Sequence, residues 1–467
     1  MFQNLNTPSG RGNRTGLLLT LALVAVIGAL CLAGAAHAGT VSLPRTGQTT
    51  AYYNGDDGAI EAGVAWPNPR FTDNGDLTMT DTLTGLVWLK DASTPALTSC
   101  TGGGMTWQAA LDYVACLNTI TYLGYNDWRL PNVNELQSLL NAGQTNTDTW
   151  LDSQGFTGVG SDYWSSTTHA NYTSDAWYVS MRGGVNLNVK SNGMSIWPVR
   201  TGQSGAFGNA AIWQTGQTTT YAAGDDGALQ KGVAWPNPRF TANGSTVTDN
   251  LTSLVWTKDA GAPTTSSCTG GAAKTWQAAL DYVTCLNTAS YLGYTDWRLP
   301  NATELHSLVD YGTYNPTLPS GHPFSNVYKS GYYNNFWSST GIFGNTSNAW
   351  LVNMGSGTVS GDAMSDNTTL VWPVRGGQVA TPIYTVTGTV SSGNGTILCM
   401  GTVAAGATTT CTITLASGSA LLALTDNGVS ILNKAVQVTS VYTYTISNIS
   451  ANHAIIATFA QGYYVTG

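Results

Sequence analysis

Apolar side chains recur at helical spacing in a stretch that begins after Thr106. They are Trp107, Ala110, Leu111, Val114 and Leu117. This spacing places all five on one face of a helix, and threonine is a residue type that caps helix N-termini. The pattern therefore predicts an amphipathic helix packed against a core.

Residues 127–136 form the motif Asp-Trp-Arg-Leu-Pro-Asn-Val-Asn-Glu-Leu, and a second helical pattern overlaps its end. Asn132 precedes the pattern and Glu135 follows three residues later, as in a capping box. The apolar stripe of this predicted helix is Leu136, Leu139 and Leu140. The motif returns at residues 296–305, where the matching positions are Asn301, Glu304, Leu305 and Leu308.

The remaining pattern predicts short strands that carry tryptophan between Gly/Asn turns. In the first half of the chain these are residues 86–88, 163–166, 176–179 and 196–200, and in the second half 336–339, 349–352 and 371–375. No further helix is predicted after the second one. Two helices followed by several short strands predict a compact α+β module.

The module occurs twice. Residues 46–71 match residues 215–240 at 20 of 26 positions, and residues 106–131 match residues 275–300 at 22 of 26. A period of 169 residues is too long for a solenoid and indicates two whole domains. We predict module 1 at 43–200, a Gly-rich linker at 201–211 and module 2 at 212–375.

A different pattern occupies residues 383–460. Residues 384–387, 442–446 and 453–459 alternate in the manner of strands. The segment at 446–453 resembles the last strands of bacterial surface B-repeat domains, as in internalin-type proteins. This resemblance implies a small all-β domain used as a spacer or adhesive unit.

The N-terminal 38 residues have the pattern of a secretory signal. Arg11 and Arg14 precede an apolar run at 17–33, and Ala36-His37-Ala38 is a small-x-small cleavage site. A retained membrane anchor is the alternative interpretation. A lipoprotein site at Cys31 is disfavoured because the preceding Leu30 is large. No other apolar run is long enough to span a membrane.

Composition and charge narrow the functional class. Only 9% of the residues are charged, and the formal net charge of −8 becomes −10 once Arg11 and Arg14 leave with the signal. An acidic chain without a Lys/Arg run is not expected to bind nucleic acid. The composition fits an exported protein at the cell surface or outside the cell, with the periplasm as a further compartment.

Six cysteines remain after the signal. They fall into three close pairs, which are Cys100 with Cys116, Cys268 with Cys285 and Cys399 with Cys411. In an exported protein this clustering predicts three local disulfides. A metal site is the alternative, but no C-x-x-C motif or companion histidine supports it.

The motifs of both copies, in order, resemble the Lcl C-terminal domain family. The series is Thr-Gly-Leu-Val-Trp, Trp-Gln-Ala-Ala-Leu-Asp-Tyr, Asp-Trp-Arg-Leu-Pro-Asn-x-x-Glu-Leu, Trp-Ser-Ser-Thr and Trp-Pro-Val-Arg. The resemblance implies a C-type-lectin-like fold, distantly related to formylglycine-generating enzymes. It also implies a bacterial surface protein and leaves the ligand open.

The repeated motif contains a charged pair with two interpretations. In the structural interpretation, Arg129 pairs with Glu135 or stacks on Trp128. Arg298 has the same relation to Glu304 and Trp297. In the functional one, each arginine recognises a ligand carboxylate or a sugar hydroxyl. We expect the structural interpretation for these six residues. Arg200 and Arg375, which end the last strand of each copy, have the same two interpretations.

Acidic turns provide the candidate metal ligands. They are Asp56 and Asp57 in the first copy and Asp225 and Asp226 in the second. Carboxylate oxygens suit Ca²⁺, while Asp and Gly are equally typical of solvent-exposed turns. The acid-Pro-Asn loop of sugar-binding C-type lectins is absent, since the chain has Trp-Pro-Asn-Pro at 66–69. We expect no other cofactor.

Enzyme chemistry finds no support in the motifs. No P-loop, G-x-S-x-G or H-E-x-x-H motif occurs, and no histidine recurs in both copies. We therefore expect a non-catalytic protein. A divergent enzyme related to formylglycine-generating enzymes is one alternative.

Aromatic side chains in polar loops are the candidate ligand-binding residues. They are Tyr52, Tyr53, Tyr163, Tyr172, Tyr332 and Tyr333. Aromatic faces stack on sugar rings and anchor protein interfaces. We predict adhesion or recognition of a glycan, an extracellular polymer or a cell-surface protein, with avidity raised by the two copies. A self-assembling matrix protein is the other alternative, and the oligomeric state is open.

Overall fold

The computed structural model of the protein describes residues 41–200, 210–271, 273–327, 334–376, 383–399, 401–404, 408–447, 449 and 452–461. The predicted signal at 1–38 and most of the predicted linker at 201–211 lie outside these residues. The chain divides into two compact units. The first contains both copies of the repeat, and the second contains the C-terminal strands.

The first copy combines short helices with short strands. Its helices are α1 (Asp57–Ile60), α2 (Trp107–Thr119), α3 (Val133–Gln137) and α4 (Thr147–Ser153). Its strands are β1 (Phe71–Asp73), β2 (Thr78–Asp81), β3 (Val87–Leu89), β4 (Asp162–Thr168), β5 (Asp175–Ser180), β6 (Gly184–Val189) and β7 (Val199–Arg200).

The second copy repeats this order, and its described residues contain no counterpart of α4. Its helices are α5 (Asp226–Leu229), α6 (Trp276–Thr288) and α7 (Ala302–Ser307). Its strands are β8 (Phe240–Asn243), β9 (Thr246–Asp249), β10 (Val255–Thr257), β11 (Asn335–Ile342), β12 (Asn345–Asn353), β13 (Val359–Ala363) and β14 (Val374–Arg375). The predicted α+β class is confirmed.

Both predicted helix starts form as expected. The Thr106 hydroxyl accepts the Ala109 N–H at the start of α2, and five apolar side chains plus Tyr113 are buried along that helix. Capping boxes form at Asn132/Glu135 and Asn301/Glu304. Helix α3 is shorter than its apolar stripe suggests, because it ends at Gln137.

The expectation of only two helices per copy was wrong. In the first copy, α4 adds seven residues in which Leu151 is fully buried. One buried leucine in two turns gives no helical periodicity, so the sequence carries no signal for this element. The acidic turns are also single helical turns, α1 and α5, because an aspartate caps each of them.

The two copies are joined by a continuous sheet. Strands β1, β2, β3 and β7 form a small antiparallel sheet in the first copy, and β8, β9, β10 and β14 form its counterpart. The other strands form one six-stranded sheet in the order β4-β5-β6-β13-β12-β11. Strands β6 and β13 pair at Val185 and Val359, so one sheet continues from the first copy into the second.

Tryptophans fill the cores of both copies. Trp88 packs edge-on against Trp197 at 5.5 Å between ring centroids, and Trp256 packs in the same way against Trp372 at 5.4 Å. The repeated Trp-Pro-Val-Arg strands therefore supply matching core contacts. Burial of such large side chains is a major source of stability.

The second unit consists of strands and one turn of 3₁₀ helix at Leu432–Lys434. The strands are β15 (Ile383–Ser392), β16 (Gly395–Leu398), β17 (Thr402–Ala404), β18 (Thr409–Leu415), β19 (Ser419–Asp426), β20 (Val429–Ser430), β21 (Val436–Val438), β22 (Val441–Ile446) and β23 (His453–Gln461). One sheet has the order β17-β15-β23-β19-β20 and the other β16-β18-β22-β21. Buried Val386, Ile413 and Ile455 contribute to the core of this unit.

Three disulfides form within the described residues, with the pairing that the clustering predicts. They join Cys100 to Cys116, Cys268 to Cys285 and Cys399 to Cys411. The first two tie the loop before α2 or α6 to that helix. Within the described residues, no helix has the length and apolar character that a membrane crossing requires.

Removal of the first disulfide is expected to destabilise the repeat unit. The bridge closes a loop of 16 residues, which corresponds to about 3 kcal/mol of unfolding free energy. We expect the Cys100→Ser/Cys116→Ser variant to lose this amount in urea titrations, and Cys268→Ser/Cys285→Ser to lose a similar amount. A loss below about 1 kcal/mol in both variants would contradict the structural role of these bridges.

Candidate functional site: a cleft between the two copies

The segment that precedes the first small sheet crosses to the second copy. We call residues 41–61 the first arm. The Val41 N–H donates to the Leu251 carbonyl at 2.9 Å, and the Gly341 N–H donates to Gln48 Oε1 at 2.7 Å. The first arm is thus held by the second copy.

The corresponding segment of the second copy makes the reciprocal contacts. We call residues 210–231 the second arm. The Ala210 N–H donates to the Leu83 carbonyl at 2.9 Å, and the Thr168 N–H donates to Gln217 Oε1 at 3.0 Å. The two copies have therefore exchanged arms, and neither copy is complete without the other.

Each arm places a buried aspartate against a threonine of the other copy. The Thr340 hydroxyl donates to Asp57 Oδ2 at 2.8 Å, and the Thr167 hydroxyl donates to Asp226 Oδ2 at 2.7 Å. Burial raises the pKa of Asp57 to about 7, and it raises the pKa of Asp226 to about 7 as well. Both carboxyls are structural parts of the exchange.

The neighbouring aspartates cap the single helical turns of the arms. Asp56 Oδ1 accepts the Ala59 N–H at 2.9 Å, and its Oδ2 accepts the Tyr52 N–H at 2.8 Å. Asp225 makes the same pair of bonds with Ala228 and Tyr221. Within the described residues, no group of three or more His, Cys, Asp or Glu side chains is placed to hold a metal ion. The Ca²⁺ prediction for these turns stays a prediction.

The arginine of the repeated motif forms a buried ion pair. Arg129 Nη2 donates to Glu135 Oε1 at 2.6 Å, and Arg298 Nη2 donates to Glu304 Oε1 at 2.5 Å. All four side chains are nearly inaccessible to solvent. The same glutamates accept the backbone N–H of the helix N-cap residues.

The flanking residues of the motif also have structural contacts. The Trp128 indole N–H donates to the Tyr122 carbonyl at 3.1 Å, and the Trp297 indole N–H donates to the Tyr291 carbonyl at 3.0 Å. Arg200 pairs with Asp127 at 2.7 Å. Arg375 makes the equivalent pair with Asp296 at 2.7 Å.

The predicted aromatic ligand-binding residues are placed in different environments. Tyr53 is 43% exposed and packs edge-on against Trp276 of the second copy at 5.4 Å between ring centroids. Tyr52 is partly exposed and lies against Gly341. Tyr172 is 54% exposed and stacks on His169. Tyr332 and Tyr333 lie outside the described residues.

The expectation that Tyr163 lies on a loop surface was wrong. Its side chain is fully buried, and its hydroxyl donates to the Ala92 carbonyl at 3.1 Å. The residue belongs to β4, which is covered on this side by the core around Trp197. Tyr163 therefore contributes to the fold and is not accessible to a ligand.

A cleft opens where the two copies and both arms meet. It has a volume of about 100 Å³. The first copy contributes Gln137 and Ala142, the second copy contributes Trp350, and the arms contribute Thr46 and Trp213. Ligand sites often lie at such domain interfaces.

The lining of the cleft combines amide, hydroxyl and aromatic groups. Its two charged residues are arginines that carry local counter-ions, since Arg45 pairs with Glu61 and Arg182 pairs with Asp148. The cleft thus has no excess of positive charge with which to attract a polyanion.

Two buried polar atoms beside the cleft have no hydrogen-bond partner among the described residues. They are Asn134 Oδ1, an acceptor, and Trp213 Nε1, a donor. The two residues are adjacent, because Asn134 Nδ2 donates to the Trp213 carbonyl at 3.0 Å. Both line the cleft, and each is at most 3% exposed. A buried polar group without a partner is costly, so a polar molecule that reached these atoms from the cleft would offset that cost.

Sequence reasoning missed the residues of this cleft. Asn134 occupies a variable position of the repeated motif, where the second copy has Thr303. Trp213 follows the predicted linker, where the first copy has Pro44. Both differences are visible in the aligned copies, but only the exchange of arms places the two residues together.

The family model described as the Lcl C-terminal domain matches residues 77–200 and 245–375. Each match begins after the arm and the first strand of the small sheet, and it covers the longer helices and the tryptophan strands of one copy. No curated protein matches the chain. With two matches that together cover more than half of its length, the chain belongs to the Lcl C-terminal domain family and carries the domain in two tandem copies.

Proposed function

We propose that this is an exported, non-catalytic protein that recognises a glycan or extracellular polymer, in adhesion or ligand capture. Membership of a family associated with surface or secreted proteins supports this proposal, and so do the disulfides. The arrangement of each copy is proposed to be C-type-lectin-like, with the C-terminal unit as a B-repeat-like spacer.

The cleft between the copies is the observation on which the proposal depends. Its amide and hydroxyl groups match the hydrogen-bonding groups of a sugar, and the partly exposed Trp350 offers aromatic surface for a sugar ring. The two histidines nearest the junction, His169 and His306, are buried among aromatic rings and are engaged with them. This environment suits packing rather than acid–base chemistry.

A glycan array tests the proposal. We expect the folded, disulfide-bonded protein to bind a subset of uncharged glycans, and to be retained by cell-envelope polysaccharide in a pull-down. Heat-unfolded protein is the control for nonspecific adhesion. Blank results in both assays with protein of native circular dichroism would overturn the proposal.

Exposed apolar residues of the second unit favour a second candidate, a self-assembling matrix protein. Leu398, Leu422, Val429, Val436 and Val438 are each more than 60% exposed. Apolar side chains on short strands promote association between chains. Light scattering that rises with protein concentration distinguishes this function from that of a monomeric binding protein.

A further inference from the structure

The two copies are closely similar, yet the cleft is open on one side of the junction and filled on the other. The filled position contains Tyr311, which is the counterpart of Ala142. The Ala142 N–H donates to the Thr46 carbonyl and the Tyr311 N–H donates to the Thr215 carbonyl, each at 2.9 Å. These equivalent backbone bonds establish the correspondence.

The Tyr311 side chain is held firmly in its position. It packs edge-on against Trp177 at 4.8 Å between ring centroids, and its hydroxyl lies 2.7 Å from His306 Nε2. The hydroxyl also donates to the Gly357 carbonyl at 3.3 Å. With 1% exposure, the Tyr311 side chain is not accessible to a ligand.

The cluster consists of Tyr311, His306 and Trp177. On the open side, two of these three side chains are replaced by a smaller or more polar residue. Ala142 takes the place of Tyr311, and Gln137 takes the place of His306. Trp350, the counterpart of Trp177, remains and lines the cleft. A ring is therefore missing at the position where a tyrosine ring packs in the other half.

We infer that the chain has a single saccharide site at this junction, in which an uncharged acetamido sugar takes the place that Tyr311 fills in the other half. The inference rests on the proposed function and specifies its site, stoichiometry and ligand class. The sugar ring packs against Trp350, as Tyr311 packs against Trp177.

The acetamido group follows from the two unpaired atoms. An acetamide has one N–H donor and one carbonyl acceptor, which match the acceptor Asn134 Oδ1 and the donor Trp213 Nε1. A site built to hydrogen-bond both groups rejects an analogue that lacks them, because its buried polar atoms then stay unpaired. In this inference one sugar residue enters the cleft, and the rest of a longer chain lies at the surface.

The test uses the full chain and N,N′-diacetylchitobiose, with cellobiose as the matched disaccharide that lacks acetamido groups. We expect isothermal titration to give one N,N′-diacetylchitobiose per chain, and cellobiose to bind at least tenfold more weakly. Below, chitobiose means this diacetylated form. Ala142→Tyr should weaken chitobiose binding at least tenfold by filling the cleft. The double variant Gln137→His/Ala142→Tyr rebuilds the cluster of the second copy. It should weaken chitobiose binding to the same extent and unfold in the same cooperative transition as the native protein. Ala115→Tyr is the matched control, since Ala115 is exposed on α2.

The results separate this inference from the proposed function. Binding of two chitobiose molecules per chain, or binding that survives both cleft variants, overturns the single site. If the folded chain fails to bind chitobiose but binds other glycans on the array, this inference fails and the proposed function stands. Failure of the array and the envelope pull-down together removes the proposed function as well.

Discussion

Replacement of Glu135 by alanine is expected to lower the unfolding free energy of the repeat unit by about 3–5 kcal/mol, which is the usual cost of removing one partner of a buried ion pair. Glu135 is 1% exposed and accepts hydrogen bonds from Arg129 and from the Asn132 backbone. Without it, a buried guanidinium loses its counter-ion and helix α3 loses half of its capping box. Urea titration followed by tryptophan fluorescence measures the loss.

The matched variants use the repeat itself. Glu304→Ala should cost a similar amount, because Glu304 makes the same bonds with Arg298 and Asn301. Asp73→Ala removes an ion pair with Lys90 in which both side chains are at least 30% exposed. This control should lose far less stability than Glu135→Ala, because exposed ion pairs are screened by solvent. An equally small loss for Glu135→Ala would show that the buried Arg129–Glu135 pair does not stabilise the repeat unit.

Local features of the fold were predictable from the sequence. The Thr106 cap, the two capping boxes and the three cysteine pairs each depend on residues close together in the chain. Such features are set by hydrogen bonds and short loops whose geometry does not depend on distant partners. The Arg129–Glu135 pair was predictable for the same reason, since six residues separate its members.

The candidate site was not predictable in this way. The Thr340 hydroxyl and the Asp57 carboxylate are 283 positions apart. The Gly-Asp-Asp-Gly turns indicated metal ligands or solvent-exposed turns, and nothing in the turn itself shows that its second aspartate contacts the other copy. Tyr163 was misplaced because a four-residue strand segment has no pattern that distinguishes a covered face from an exposed one.

The exchange of arms also changes what duplication means for binding. Two independent modules would offer two equal sites and raise avidity through effective concentration. The open cleft instead combines residues of both copies, such as Ala142 and Trp350, and its counterpart is filled by Tyr311. One half of the junction therefore contains the buried Tyr311 ring, and the other half contains a cavity.

The unfolding free energy of the repeat unit is expected to fall as the pH rises from 5 to 8, because of the two buried aspartates in the exchanged arms. Burial raises the pKa of Asp57 to about 7 and that of Asp226 to about 7, from 3.8. A folded-state pKa above the unfolded value means that folding takes up protons in this range. The stabilisation is complete below about pH 4 and is lost as the pH rises through 7.

Burial outweighs the neighbouring groups that lower these two pKa values. The hydroxyls of Thr46 and Thr340 donate to Asp57 and lower its pKa, as Arg298 does, whereas Glu304 raises it. The hydroxyls of Thr215 and Thr167 lower the pKa of Asp226, whereas Glu135 and Asp225 raise it. Asp310, whose pKa burial raises to about 6, adds to the same trend.

Urea titrations at pH 5 and pH 8 measure the effect, with a contribution of about 2–3 kcal/mol expected from each carboxyl. Asp57→Asn/Asp226→Asn keeps the shape and the neutral state of the protonated side chains. This variant should therefore be nearly as stable as the native protein at pH 5, more stable than it at pH 8, and much less dependent on pH. If the native protein is instead more stable at pH 8, the two aspartates are charged in the fold and the arms are held by ionic contacts that the structure does not contain among its described residues.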